Sequence, residues 1–171
     1  VGVCWYEAVA YCRWLSHQTG HRFRLPSEVE REAAARGPEG RLFAWGDTHD
    51  PMKANTAETH IRASTPVGVF PEGDTPQGVA DLCGNTFDLT SSAWGEDPDT
   101  PAFGYPYDAS DGRESPVGPA TLRRVVRGGT WYADRGRARA AHRDNVPPGG
   151  WNQTGGFRLA ACPVGHEPDR R

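Results

Sequence analysis

A chain of 171 residues is long enough for one domain with its own core and too short to divide comfortably into two. The apolar fraction of 36%, with 21 glycines and 15 prolines, is low for a helical bundle and predicts many turns, short strands and much irregular structure. The net charge of −3 conceals an asymmetry, because residues 127–158 carry +4 and the rest of the chain carries −7.

The six arginines of residues 127–158 allow two interpretations. A basic face of this size could attract an anionic ligand. Arginines that stack and pair within a compact loop surface are the more common arrangement, and we favour this second interpretation.

The four cysteines, Cys4, Cys12, Cys83 and Cys162, are scattered and form no Cys-x-x-Cys pair. This spacing excludes zinc-ribbon and thioredoxin-type sites, and we predict buried free thiols.

No apolar run approaches the roughly 18 residues of a membrane span, and no signal peptide is visible, so we expect a soluble protein. The chain begins without an initiator Met, so signals that precede Val1 would not be visible and the compartment stays open.

Two helices are predicted near the start of the chain. Residues 1–20 carry apolar side chains at the spacing of one helical face, and Gly20 ends this helix. Ser27 is followed by Glu30 in the pattern of a capping box, which predicts a helix over Ser27–Arg36 that ends at Gly37.

The strand signals are shorter. Thr65–Phe70 is predicted as a short strand, and Gly78–Leu89 runs through a Gly-Asn turn into another. Trp94–Pro119 has no periodicity and is predicted as a long surface loop. Leu122–Arg127 and Phe157–Cys162 are predicted as two core strands that place the ends of the intervening stretch side by side.

That intervening stretch, residues 127–158, is called here the display segment. It opens with Arg-Gly-Gly-Thr-Trp and closes with Gly-Gly-Phe-Arg. Polar, aromatic and turn-forming residues are dense between these ends, which is typical of a displayed surface rather than a core.

An ordered series of motifs carries a family resemblance across nearly the whole chain. The motifs are Trp5-Tyr6-Glu7-Ala8, Tyr11-Cys12, Arg24-Leu25-Pro26-Ser27-Glu28, Ala33-Ala34-Ala35-Arg36-Gly37, Trp45-Gly46-Asp47, Asn55, Pro66-Val67, Gly84-Asn85, Arg127-Gly128-Gly129-Thr130-Trp131 and Gly156-Phe157-Arg158-Leu159. In order and spacing they resemble the formylglycine-generating-enzyme (sulfatase-modifying factor) family. The resemblance implies an α+β, C-type-lectin-like fold with two helices, short twisted antiparallel sheets and much irregular structure, here as a single domain over residues 1–171.

The resemblance extends to three groups with different functions. Formylglycine-generating enzymes are copper-dependent oxidases whose catalytic cysteine pair follows the Arg-Gly-Gly motif, and here those positions hold Arg135 and Ala140. Without a thiolate there is no soft ligand for Cu(I), so this activity is excluded. Iron-dependent sulfoxide synthases take their iron-binding histidines from an additional helical domain. An oxidoreductase of that kind, with its metal-binding domain outside this chain, stays open as the alternative.

The third group comprises the variable proteins of diversity-generating retroelements, in which adenine-directed mutagenesis of asparagine codons diversifies a ligand-binding surface. Their variable segment likewise begins at an Arg-Gly-Gly-Ser-Trp-like strand and ends at Gly-Phe-Arg. Mutagenesis of an AAC codon cannot produce Lys, Glu, Met, Gln or Trp. The display segment contains no Lys, Glu or Met, and Gln153 and Trp151 must then be fixed positions. This likeness predicts a non-catalytic binding protein.

On this interpretation the display segment binds a protein or other macromolecule, and we expect no nucleic-acid partner. The predicted ligand-binding residues are Tyr132, Ala133, Asp134, Arg137, His142, Asp144, Asn145, Val146, Gly149, Trp151, Asn152 and Thr154. Tyr132 and Trp151 would be aromatic anchors, with Trp151 a fixed position. The composition is also compatible with a GC-rich, thermophilic source.

No cofactor is required for this role, but the resemblance implies a structural calcium site around the Gly-Asn turn. Asp81 and Asp88 would supply carboxylate oxygens, and Gly84 and Thr86 would supply backbone carbonyls. The alternative is that these carboxylates stabilise the turn without a metal.

Overall fold

The computed structural model describes residues 1–162. Helix α1 covers Trp5–Thr19, and Gly20 caps it in the left-handed region at φ 71°, which confirms the predicted end. Helix α2 covers Glu28–Arg36. The Ser27 hydroxyl accepts from the Glu30 amide and the Glu30 carboxylate accepts from the Ser27 amide, so the predicted capping box is confirmed.

Six strands form two small sheets. The strands are β1 (Arg22–Arg24), β2 (Phe87–Gly95), β3 (Arg123–Arg127), β4 (Arg143–Val146), β5 (Gly155–Phe157) and β6 (Ala160–Cys162). The four-stranded sheet has the order β4-β3-β2-β5, in which β2 pairs with β5 in parallel and the other pairs are antiparallel. The second sheet pairs β1 with β6 in antiparallel. Two helices, small sheets and long irregular stretches agree with the predicted fold class.

The display segment begins on one side of strand β2 and ends on the other. It leaves from β3, returns through β4 on the outside of β3, and ends in β5 on the other side of β2. Its ends are therefore separated by β2, whereas the sequence had placed them side by side. The predicted closing strand is also divided, since Gly155–Phe157 and Ala160–Cys162 belong to different sheets. Arg158 lies between the two strands, where its side chain turns inward to Asp88.

The prediction of a strand over residues 65–70 is wrong. Val67 is 78% exposed and Gly68 has φ 82°, so this stretch neither buries an apolar face nor keeps an extended backbone. Its chain is fixed instead by polar contacts to the Gly-Asn turn, such as the Thr65 amide donating to Asn85 Oδ1. A Pro-Val-Gly-Val sequence alternates like a strand but has no partner strand to pair with.

The interior contains two apolar clusters. One joins α1 to the four-stranded sheet and consists of Trp5, Ala8, Cys12, Leu25, Leu89 and Val126. The other lies beyond α2 and consists of Ala35, Phe43, Ala44, Leu82, Cys83 and Ala140. All four cysteines are free thiols, as predicted, but only Cys12 and Cys83 are fully buried.

The loop that follows β2 is exposed over most of its length, as predicted, and is fixed to the interior by Arg113. This side chain is buried, donates to Asp111 and Glu28, and lies 4.6 Å from the centre of the Tyr107 ring. Within residues 1–162, no helix has both the length and the apolar character needed to cross a membrane.

Candidate functional site

Two arginines of the display segment are bound by carboxylates on helix α2. Arg143 donates to both oxygens of Glu28, at 2.7 and 2.9 Å, and Glu28 is completely buried. Arg127 pairs with Glu32 and also donates to the carbonyls of Ala141 and His142 at 2.7 and 2.9 Å. Because removal of one member of a buried ion pair costs about 3–5 kcal/mol, these contacts fix the segment firmly on α2.

A third arginine, Arg158, is bound at the far end of the segment. Its Nε donates to Asp88 Oδ2 at 2.8 Å, and Nη2 donates to the carbonyls of Ala80 and Asp81 at 3.3 and 3.1 Å. Asp88 also accepts from Arg31 at 3.0 Å. Three of the six arginines of the segment therefore pair inward, in line with the interpretation that the sequence favoured.

These contacts do not fit the calcium site that the family resemblance implies. Asp88 already faces the guanidinium groups of Arg31 and Arg158, and a divalent cation there would be repelled by both. The Asp81 carboxylate accepts from the Gly68 amide at 3.2 Å, and the backbone carbonyl of Asp81 accepts from Arg158. Of the implied calcium ligands, Asp88 thus already accepts from two guanidinium groups, and the Asp81 carboxylate accepts from a backbone amide. Gly84 and Thr86 flank the same turn, and within residues 1–162 no three His, Cys, Asp or Glu side chains are grouped to hold a metal.

The Gly128-Gly129 pair determines how the segment leaves β3. Both residues have positive φ, 99° and 72°. A Cβ on Gly129 would lie 2.9 Å from the Ala138 Cα, and one on Gly128 would lie 2.3 Å from a guanidinium nitrogen of Arg31. Only glycine permits this approach, so the Arg-Gly-Gly motif lets residues 137–138 fold back against the strand.

The Gly-Asn turn holds the next residues in place. Asn85 is in the left-handed region at φ 63°, and its carbonyl accepts from the Trp131 amide at 2.8 Å. The Gly84 amide donates to the Gly128 carbonyl at 2.6 Å. The first part of the display segment is therefore fixed to a turn more than forty residues earlier in the chain.

Exposure alternates along residues 135–141. Arg135, Arg137 and Arg139 are exposed, whereas Ala138 and Ala140 are completely buried. Within residues 1–162, none of these three arginines forms an ion pair. Only Arg137 is among the predicted ligand-binding residues, although the Arg-x-Arg-Ala-Arg-Ala spacing also indicates Arg135 and Arg139.

The predicted ligand-binding residues differ in exposure. Those with exposed side chains or backbone are Tyr132, Asp134, Arg137, Asp144, Gly149, Trp151 and Asn152. His142, Asn145 and Val146 are half-buried, and Asn145 is held by contacts to Arg123 and to the Pro98 carbonyl.

Ala133 and Thr154 are buried, so their prediction as displayed residues is corrected. The Ala133 carbonyl accepts from the Ala57 amide at 3.0 Å, which presses this part of the chain against the body of the domain. The Thr154 hydroxyl donates to Asn152 Oδ1 at 2.8 Å, and its carbonyl accepts from the Phe87 amide, because Thr154 leads into β5. Neither side chain faces solvent.

A small cavity opens among the predicted residues. Its volume is about 40 Å³, and it is lined by Phe87, Val126, Arg127, Gly129, Thr130, Tyr132, Ala133, Arg137, His142 and Asp144. Burial lowers the pKa of His142, and Arg137, Arg139 and Arg127 add to this effect while Asp144 opposes it. His142 is therefore neutral at pH 7.

The two predicted aromatic anchors belong to different parts of the surface. Tyr132 is 54% exposed, lines the cavity and makes an edge contact with Trp131 at 5.4 Å between ring centres. Trp151 is 72% exposed and follows Pro148, whose carbonyl accepts from the Trp5 amide at the start of α1. Trp151 does not line the cavity.

A larger groove lies outside the display segment. It has a volume of about 840 Å³, lies between α1, β1 and the loop after β2, and includes Trp5, Phe23 and Glu114 among its lining residues. No residue of the display segment lines this groove.

Comparison with known proteins identifies the family of this chain. Residues 1–162 match the model of the sulfatase-modifying factor enzyme 1-like domain. The chain belongs to this family. Family members similar to it include proteins named as enzymes and one named inactive. Formylglycine-generating enzyme of Bos taurus is 30% identical over 177 residues, covering 93% of this chain and 42% of that protein. Inactive C-alpha-formylglycine-generating enzyme 2 of Mus musculus is 30% identical, covering 94% of this chain and 48% of that protein.

A serine/threonine-protein kinase, pkn1 of Chlamydia pneumoniae, is 37% identical over 164 residues, which are 94% of this chain and 23% of the kinase. The chain thus spans a quarter to a half of the length of these relatives. Among solved structures, PvdO from Pseudomonas aeruginosa has a TM-score of 0.76 and 30% identity, covering 94% of this chain and 60% of PvdO. Treponema denticola variable protein 1 has a TM-score of 0.73 and 22% identity, covering 95% of this chain and 70% of that one, which supports the shared fold.

Proposed function

We propose that this domain is a non-catalytic binding module that presents the display segment to a protein or other macromolecular ligand. The observation that supports the proposal is that some side chains of the segment are fixed to the body of the domain while others are exposed. Arg127, Arg143 and Arg158 pair inward with carboxylates, whereas seven of the predicted ligand-binding residues between them, including Tyr132, Arg137 and Trp151, are exposed to solvent. A rigid frame with replaceable exposed positions suits recognition.

The same surface offers little for catalysis on a small substrate. The positions that the resemblance assigns to the catalytic cysteines hold an exposed Arg135 and a completely buried Ala140, neither of which is a copper ligand. The cavity of about 40 Å³ is far below the roughly 300–1,000 Å³ of typical small-molecule sites. The family includes a relative that is itself named inactive, so loss of the activity has a precedent.

We further propose that the segment is diversified, as in the variable proteins of retroelements. The absence of Lys, Glu and Met from residues 127–158 and the fold shared with Treponema denticola variable protein 1 support this origin. The diversified positions would be the exposed ones, including Tyr132, Asp134, Arg137, Asp144 and Asn152.

Sequencing of the same locus from several isolates tests the proposal. We expect substitutions concentrated at the exposed positions, consistent with changes at adenines of a neighbouring template repeat, and invariant codons for Arg127, Arg143 and Arg158. Substitutions spread evenly along the chain, or common at those three arginines, would contradict diversification.

The oxidoreductase alternative is favoured by the enzymes among the relatives, such as formylglycine-generating enzyme. It requires metal ligands from a further domain. Metal-dependent oxygen consumption by the full-length protein, abolished by a chelator and restored by iron, would support the alternative and remove the non-catalytic proposal.

A further inference from the structure

Two buried polar atoms at the cavity of the display segment have no hydrogen-bond partner among residues 1–162. They are Oγ1 of Thr130, which is 4% exposed, and Nε of Arg127, which is 1% exposed. Arg127 uses Nη1 for backbone carbonyls and Nη2 for Glu32, so its Nε–H stays available. A hydroxyl and a guanidinium N–H together favour a ligand group that accepts two hydrogen bonds.

The charges around the cavity favour an anion. Arg137 and Arg139 are exposed and form no ion pair within residues 1–162. The positive charges of both help to lower the pKa of His142. Asp144 is the one acid that lines the cavity, and the charge of Arg127 is balanced by Glu32. Arg137 at the cavity and Arg139, two residues further along the chain, together outnumber the single acid Asp144, so the local charge is positive.

The size of the cavity limits what can enter. Its volume of about 40 Å³ exceeds the roughly 10–15 Å³ that one water molecule needs but is too small for a ring or a nucleotide. A carboxyl group is small, bears one negative charge and accepts at both oxygens.

We propose, on the basis of the binding role above, that this cavity takes a carboxylate of the macromolecular ligand. Thr130 Oγ1 and Arg127 Nε donate to its oxygens, and Arg137 supplies the opposing charge at the rim. The carboxylate can belong to an Asp or Glu side chain or to a chain terminus, since both present the same group. Tyr132, which lines the same cavity, packs against the residue that carries it.

Titration of the ¹⁵N-labelled chain with small carboxylates tests this site. The probes are N-acetyl-glutamate N-methylamide for a side chain and N-acetyl-alanine for a terminus, with N-acetyl-glutamine N-methylamide as the uncharged control, all at constant ionic strength. We expect saturable shifts of the Gly129, Thr130 and His142 amides with one or both carboxylates and none with the glutamine probe. The stronger of the two carboxylates identifies the source.

Matched variants separate the cavity from general attraction to arginine. Thr130→Val removes the hydroxyl at nearly constant volume and should weaken carboxylate binding by roughly tenfold or more, because a hydrogen bond to a charged group is lost. Thr130→Ser keeps the hydroxyl and should retain binding. Arg137→Gln should weaken binding several-fold, whereas Arg135→Gln, which is exposed but does not line the cavity, should leave it unchanged. Each variant is accepted only if its spectrum shows the native dispersion.

Four outcomes overturn the site: no saturable shift, equal binding of the glutamine probe, equal binding by Thr130→Val, or shifts centred on Trp5 in the larger groove. These failures leave the proposed function intact, because a ligand can bind the exposed residues without a carboxylate anchor. Conversely, an undiversified locus would remove the retroelement origin without affecting the titration.

Discussion

At the scale of single residues, Gly129 determines the path of the display segment most directly. Its φ is 72°, and a Cβ would lie 2.9 Å from both the Ala138 Cα and the Arg137 carbonyl oxygen. Backbone atoms cannot turn aside as a flexible side chain can. Replacement by alanine therefore combines an unfavourable left-handed conformation with a clash.

We predict that Gly129→Ala lowers the free energy of unfolding by about 2–4 kcal/mol. Gly149→Ala is the matched control, because it lies in the same segment and its Cβ would meet nothing within 4 Å. The control should stay within about 0.5 kcal/mol of the wild type. Urea denaturation at 25 °C measures both, and equal stability of the two variants would show that the turn at Gly129 is not as constrained as described.

At the scale of elements, α2 is the base on which the display segment is held. Glu28, Arg31 and Glu32 follow one another at helical spacing, so they share one side of the helix. Glu28 and Glu32 bind Arg143 and Arg127 of the segment, and Arg31 binds Asp88 of β2. Helix, central strand and display segment are thereby joined by charge pairs rather than by apolar packing alone.

Arg143→Met tests this attachment. Among residues 1–162, it leaves the buried Glu28 with Arg113, at 3.3 Å, as its one ion-pair partner, and we expect a loss of about 3 kcal/mol in the free energy of unfolding. Arg139→Met is the control, since Arg139 is exposed and its side chain, within the described part of the chain, donates to the Gly136 carbonyl alone. The control should change stability by less than about 0.5 kcal/mol. Thermal unfolding followed by circular dichroism compares them, and a similar midpoint for both would exclude a strong contribution from the Arg143 pair.

The sequence predicted the parts of these elements that depend on local chemistry. Gly20 and the Ser27–Glu30 capping box gave the helix ends, because caps act within one turn. The roles of the arginines could not be predicted in the same way. Arg127 and Arg143 find partners 95 and 115 residues away, and nothing near them distinguishes them from the exposed Arg137.

The order of the strands in the four-stranded sheet could not be predicted from the sequence either. The parallel pairing of β5 with β2 places Gly156 opposite Asp88, and this contact has no local signal. The family resemblance supplied the fold, but it also implied a calcium site in which one proposed ligand, Asp88, instead accepts from Arg31 and Arg158.

At the scale of the whole molecule, buried charge is unusually prominent. The largest fully buried side chains are Arg31, Arg113 and Arg127, and Glu28 is completely buried as well. With only 36% apolar residues, the domain fills its interior with paired charges. Where hydrogen bonds and ion pairs hold the pKa of such a carboxyl below its usual value, protonation of that carboxyl lowers the stability of the fold.

Glu32 provides the test of that dependence. Burial alone would raise the pKa of its carboxyl, but hydrogen bonds from Arg36, Tyr105 and Arg127 outweigh burial and hold the pKa below the usual 4.5. A carboxyl with a lowered folded pKa stabilises the protein above its unfolded pKa, and this contribution is lost as the pH falls through the folded value. We therefore expect the free energy of unfolding to decline as the pH drops below about 4.5.

The variant Glu32→Gln should be less stable than the wild type at pH 7 and should lose part of this acid dependence. Each proton contributes at most about 1.4 kcal/mol per pH unit to the slope, so the slope between pH 4.5 and 3 should flatten by up to that amount. Glu72→Gln is the control, because Glu72 is exposed and forms no ion pair within the part of the chain that the structure describes. Urea denaturation across this pH range gives the slopes. Parallel curves for the wild type and Glu32→Gln would mean that the carboxylate of Glu32 contributes no pH-dependent stability, and that Arg127 is held in place by its backbone contacts alone.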